Sequence, residues 1–107
     1  MVKPTSIATT LAVSVLSTLW LTVPAQAEDM KRATLLADAC AVCHGTDGQG
    51  GGKIPKLSGE LKADKFAQTM RGFASGEERA TVMDRIAKGL TEQEITELAS
   101  YFANLKK

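Results

Sequence analysis

Cys40-Ala41-Val42-Cys43-His44 is the stretch on which the reading of this chain turns. Two thiols three residues apart at the end of a helix can each form a thioether to one vinyl group of a porphyrin. The histidine that follows is then held beneath the iron as an axial ligand. The spacing is that of covalent c-type haem attachment. Other uses of these residues fit less well. A disulfide between Cys40 and Cys43 is compatible with an oxidising compartment, and thioredoxin-like redox pairs share the C-x-x-C spacing, but those sit near a βαβ pattern that this sequence lacks. A structural zinc site needs four ligands, whereas two cysteines and one histidine, crowded into five residues, are all the chain possesses.

The sequence upstream suits export. Met1-Val2-Lys3 gives a short positive start, Ile7 to Val23 is a mostly apolar run without a charge, and Ala25-Gln26-Ala27 fits a small-x-small cleavage site. Residues 1–27 therefore read as a cleaved secretory signal peptide. The run is also interrupted by serine and threonine and is shorter than the ~20 apolar residues of a spanning helix, so no membrane span is expected in the mature form. Export in turn suits a haem that is attached outside the cytoplasm, and it implies a periplasmic location. Residues 28–107 remain as a single domain. A 107-residue chain with 13 Lys+Arg, 12 Asp+Glu and no basic block excludes a two-domain enzyme and lacks the footprint of a nucleic-acid binder. So small a domain commonly needs a staple to complete its interior, and a bound porphyrin would serve as one.

Periodicity predicts only helices. Ala33, Leu36, Ala37 and Cys40 recur at helical spacing and imply a first helix over about 30–42. Gly45 to Gly52 holds five glycines in eight positions and reads as a loop, which Pro55 prolongs. It lacks the Lys-Ser/Thr signature of a phosphate loop. Phe66, Met70 and Phe73 mark a helix over about 63–75, closed by Gly76. A shorter helical segment over 82–88 ends at Gly89. Thr91-Glu92-Gln93-Glu94 is a capping box, and Ile95, Leu98, Ala99, Phe102 and Leu105 form the stripe of a last helix over 92–105.

With His44 the only histidine, the sixth iron ligand must be another residue type, and a methionine thioether suits a raised potential. Met1 leaves with the leader, and Met30 is too near the attachment site in sequence. Met70 and Met83 remain. Met70 shares the stripe of Phe66 and Phe73 and reads first as a core residue, whereas Met83 lies beyond the middle helix, where the chain can return on the far side of the porphyrin. Met83 is preferred, with Met70 as the alternative.

Cys40-x-x-Cys43-His44-Gly45, the glycine-rich loop, Ile54-Pro55-x-Leu57-x-Gly59, and Met83-x-x-Ile86-Ala87-x-Gly89-Leu90 before a helix carrying Tyr101-Phe102 together resemble a small class I cytochrome c. The segment from Phe66 through Ser75-Gly76-Glu77, with Arg85-Ile86-Ala87-Lys88-Gly89, is more particularly similar to the haem subunits of flavocytochrome c sulfide dehydrogenases. The resemblance implies a small all-α fold of three to five helices around one covalent haem c, with thioethers at Cys40 and Cys43, proximal His44 and distal Met83. It also implies that the Pro55 carbonyl accepts from the His44 ring, that Leu57 packs on the porphyrin, and that the first and last helices cross where Ala33 and Ala37 leave room for Tyr101 or Phe102.

A haem with both axial positions filled suits electron transfer rather than catalysis. The function implied is therefore single-electron transfer, with electrons accepted from a flavoprotein (an FAD sulfide dehydrogenase) and passed to other redox proteins. A free shuttle serving a terminal oxidase or another dehydrogenase is the alternative. A haem enzyme or ligand sensor with a labile sixth site is the alternative from another class. Lys53, Lys56, Lys62, Lys65 and Lys88 alternate with Glu60, Asp64 and Asp84, a pattern whose usual meaning is a solvated face.

Overall fold

The fold rests on α1 (Ala25–His44), α2 (Ala63–Ser75), α3 (Met83–Lys88) and α4 (Glu92–Asn104), with one 3-10 turn at Thr46–Gly48. This structure, a computed structural model, describes residues 24–59 and 61–105 together with residues 2 and 4. The expected leader falls outside these except for residues 2, 4 and 24–27. Among the described residues there is no strand, only an isolated bridge between Gly51 and Ile54. The all-α expectation holds. No helix among the described residues is long and apolar enough to cross a membrane.

Helices α2 to α4 lie where the apolar stripes and caps put them. At α4 the Thr91 hydroxyl accepts from the Glu94 amide at 3.2 Å while the Glu94 carboxylate accepts from the Thr91 amide at 2.7 Å, so both halves of the capping box are made. Helix α1 is longer than its periodicity suggests. It opens at Ala25, behind an extended Pro24, because Ala25, Gln26, Ala27 and Glu28 are good helix formers. All four are exposed, so no apolar stripe marks them. It also runs two residues past the expected end and stops only at Gly45, whose φ of 79° leaves the helical region.

Helix α1 packs on α4, and α2 packs on both α3 and α4. Small side chains allow the close approach on α1, where Ala33 and Ala37 are buried, and Leu98, Ala99 and Phe102 answer from α4. Phe102 stacks on Phe66 of α2 with ring centroids 5.6 Å apart, and Tyr101 meets Phe102 edge-on at 5.3 Å. Ion pairs fasten the same contacts from outside. Arg32 of α1 is bidentate to Glu97 of α4 and also reaches Asp29 at 2.9 Å, while Arg71 of α2 grips Glu92 at the start of α4. Each arginine holds its glutamate carboxyl below the ordinary carboxylate range.

The segment between α1 and α2 is held against the helices through its backbone. The Leu57 amide donates to Gly48 O at 2.7 Å, Gly59 N donates to Phe102 O at 3.1 Å, and Gly51 and Ile54 exchange bonds of 2.9 and 3.0 Å. Gly50 makes this possible, since its φ is 74° and a Cβ there would stand 2.8 Å from both Ile54 O and Lys56 N. Its amide donates to His44 O, so the loop doubles back directly onto the end of α1.

Candidate functional site

The last turn of α1 decides the site. Because the helix continues to His44, residues 40, 43 and 44 stand at i, i+3 and i+4 and share one face. Cys40 is half-buried and Cys43 exposed, and each carries a free thiol. The Cys40 thiol donates to Leu36 O at 3.4 Å, and burial pushes its pKa up. His44 is buried, at 7% exposure. Its Nδ1 lies 2.8 Å from Pro55 O. A carbonyl can only accept, so Nδ1 carries the proton and Nε2 is left as the nitrogen with a free lone pair. The loop folded over Gly50 is what delivers that carbonyl.

These residues border a cavity of about 840 Å³. Cys40, Cys43 and His44 enter it from α1, Pro55 and Leu57 from the loop, and Met83 from α3, so the structure brings all six sequence-derived candidates to one cavity. Since α1 packs on α4 and α2 on α3 and α4, the cavity lies between α1 on one side and the α2–α3 pair on the other. Its walls are mostly apolar, with Leu36, Leu61, Phe66, Phe73, Ile86, Leu90 and Leu98 among them. Met70 also borders it. Its reading as a core residue stands, because it is buried in the central cluster, yet one side of that cluster is the cavity wall.

Sequence reasoning missed Thr69, Arg79 and Thr81, which supply polar groups to the same cavity. Arg79 and Thr81 lie in an irregular connector, where no periodicity marks which side chains turn inward. Among the described residues no three His, Cys, Asp or Glu side chains converge as a metal site. The donor set suits a haem. Two thiols are available for thioethers, a buried imidazole has its outer nitrogen already engaged, and a thioether and apolar walls face a cavity large enough for a cofactor.

Comparison with known proteins agrees. A family model described as cytochrome c matches residues 31–106. The cytochrome subunit of sulfide dehydrogenase from Chlorobaculum tepidum is 43% identical over 77 residues, covering 71% of this chain and 68% of that protein. Cytochrome c-554(547) from Halothiobacillus neapolitanus is 36% identical over 84 residues, covering 68% of this chain and 91% of that one. Among solved structures, cytochrome c4 of Acidithiobacillus ferrooxidans superposes with a TM-score of 0.68 at 30% identity, covering 72% of this chain but half of that one. The motif, the all-α arrangement of the described residues, the cavity and these likenesses converge on one conclusion: the chain belongs to the cytochrome c family, whose cofactor is covalently bound haem c.

Proposed function

We propose that this chain is an exported, periplasmic cytochrome carrying a single haem c, that it accepts electrons one at a time from a sulfide-oxidising flavoprotein, and that it hands them to a further redox protein. The observation that carries the reading is the shared face of Cys40, Cys43 and His44 turned into a mostly apolar cavity that Met83 borders from α3. When bound, haem c supplies a one-electron iron couple.

The residues divide the work. Cys40 and Cys43 would tether the group through thioethers, with Cys43 on the exposed side and Cys40 on the buried side. His44 would ligate through Nε2, its ring held in orientation by Pro55 O, which also strengthens its electron donation. Met83 would complete the coordination, leaving no position for a substrate, so sulfide chemistry falls to the partner. Leu57, Phe66 and Phe73 would exclude water and favour the less charged, ferrous state. Partner assignment leans on the named role of the Chlorobaculum tepidum relative, a cytochrome subunit of sulfide dehydrogenase.

The test is to purify the exported protein with whatever co-elutes, record its visible spectrum, and assay for flavin and for sulfide-dependent reduction. A c-type spectrum with a stoichiometric flavoprotein and reduction by sulfide is the expected result. A haem-bearing protein without a flavoprotein would replace the subunit reading with that of a free shuttle. A colourless product with the mass of the bare peptide would refute the reading altogether.

A further inference from the structure

Phe66, Phe102 and Tyr101 form a continuous column of rings. Phe66 borders the cavity, Phe102 stacks on it, and Tyr101 meets Phe102 edge-on without itself bordering the cavity. Phe102 is fully buried, so no solvent interrupts the column, while Tyr101 at its far end is only half-buried. Packing accounts for the two phenylalanines. A phenol adds a property that they lack, since it gives up an electron far more readily. Tyr101 is also alone in kind: it is the single tyrosine of the chain, and the single tryptophan, Trp20, lies in the expected leader. A phenol that loses an electron must shed its proton too, because the radical cation is a strong acid. Burial, with the charges of Asp47 and Asp38, raises the Tyr101 pKa, so the hydroxyl stays protonated until it is oxidised. Both carboxylates are exposed acceptors that can take the proton and give it back.

We propose that Tyr101 is an electron relay through which the ferrous protein reduces one-electron oxidants, radicals that arrive at a point of the surface that does not border the cavity. This rests on the haem reading above. Tyr101 gives one electron to the oxidising radical and its proton to Asp47 or Asp38. It then recovers an electron from the ferrous haem through Phe102 and Phe66, and the proton from the carboxylate. The net change is one radical reduced and one ferrous haem made ferric, with Tyr101 unchanged. The cavity opening is thereby left to the redox partners, and stray oxidants are met elsewhere.

The experiment uses haem-loaded protein and azide radicals made by pulse radiolysis, which oxidise phenols rapidly. In ferrous protein the visible band of the reduced haem should decay with one phase whose rate is independent of protein concentration, matched by decay of the tyrosyl radical. Tyr101→Phe keeps the ring and its packing and should lose that phase, retaining only the concentration-dependent reaction at the cavity opening. A second readout needs no variant. Ferric protein has no electron to return, so its tyrosyl radical should persist many-fold longer than that of ferrous protein. The same concentration-independent phase in Tyr101→Phe, its absence from wild type, or equal radical lifetimes in the two oxidation states would overturn the relay. A chain that never carries haem ends the underlying reading instead.

Discussion

Replacing Gly50 by alanine should injure both the stability of the domain and the environment of His44, whereas the same change two residues later should do little. Both glycines have left-handed backbone, with φ of 74° at Gly50 and 58° at Gly52. That conformation costs an alanine about 1–2 kcal/mol, offset by about 0.4–1 kcal/mol because alanine also stiffens the unfolded chain. Gly52 has nothing within 4 Å of where a Cβ would stand, so Gly52→Ala should lose roughly 0.5–1 kcal/mol. At Gly50 the new carbon would lie 2.8 Å from Ile54 O and from Lys56 N. These are main-chain atoms that cannot swing aside, and overpacking of this kind adds about 1–3 kcal/mol, for a total of roughly 2–4 kcal/mol. The two atoms flank Pro55, so relief of the clash should carry its carbonyl away from His44 Nδ1. A ring that loses this acceptor donates less strongly, so the potential of the haem-loaded Gly50→Ala protein should rise. Guanidinium unfolding of the holoprotein followed by far-ultraviolet circular dichroism gives the stability, and a redox titration gives the potential. Equal stability losses in the two variants, or an unshifted potential in Gly50→Ala, would refute the argument.

Met83→Ala should lower the potential and let cyanide or carbon monoxide bind rapidly; a variant with wild-type spectrum and ligand affinity would move the distal role to Met70. Phe102→Ala removes a ring that is 1% exposed and stacked on Phe66, and should destabilise the domain by roughly 3–5 kcal/mol in denaturant titrations, a large part of the stability of so small a domain. Arg32 holds the Glu97 carboxyl below its ordinary value of 4.5, so the stability this pair contributes should be complete above about pH 4.5 and be lost as pH falls through the lower folded value. Melting temperatures measured from pH 6 to pH 3 should therefore decline less steeply for Glu97→Gln than for wild type. In unloaded protein the exposed Cys43 should alkylate before Cys40, whose thiol is half-buried and raised in pKa; mass spectrometry of partially modified protein checks the order.

Much of the architecture was legible because its signals are local. The capping box at Thr91 and Glu94, the stripe from Ile95 to Phe102, and Gly76 closing α2 each depend on residues three or four apart, and the observed helices follow them. The start of α1 was not legible, since Ala25 to Glu28 are exposed and leave no periodic trace of helix. The motif at residues 40–44 declared its own chemistry, but the proximity of Pro55 to His44 came from family resemblance. No feature of Ile54-Pro55-Lys56 by itself points a carbonyl at an imidazole eleven residues away. Met70 shows a different limit. A residue on an apolar stripe faces the interior, and periodicity does not tell whether that interior is packed side chains or a cavity wall. Arg79 sits in a connector with no pattern at all, so only the three-dimensional arrangement singles it out.

The clasp between Arg32 and Glu97 joins positions 65 residues apart and, with the alanine-lined seam beneath it, braces the first helix on the last. During synthesis α1 must wait until α4 has been made before it acquires its brace. Long-range closure of this sort slows folding relative to neighbour-to-neighbour assembly. Trimming the C-terminus back into α4, though it removes none of the cofactor-linking side chains, would leave the thiols and the imidazole on a helix without its support.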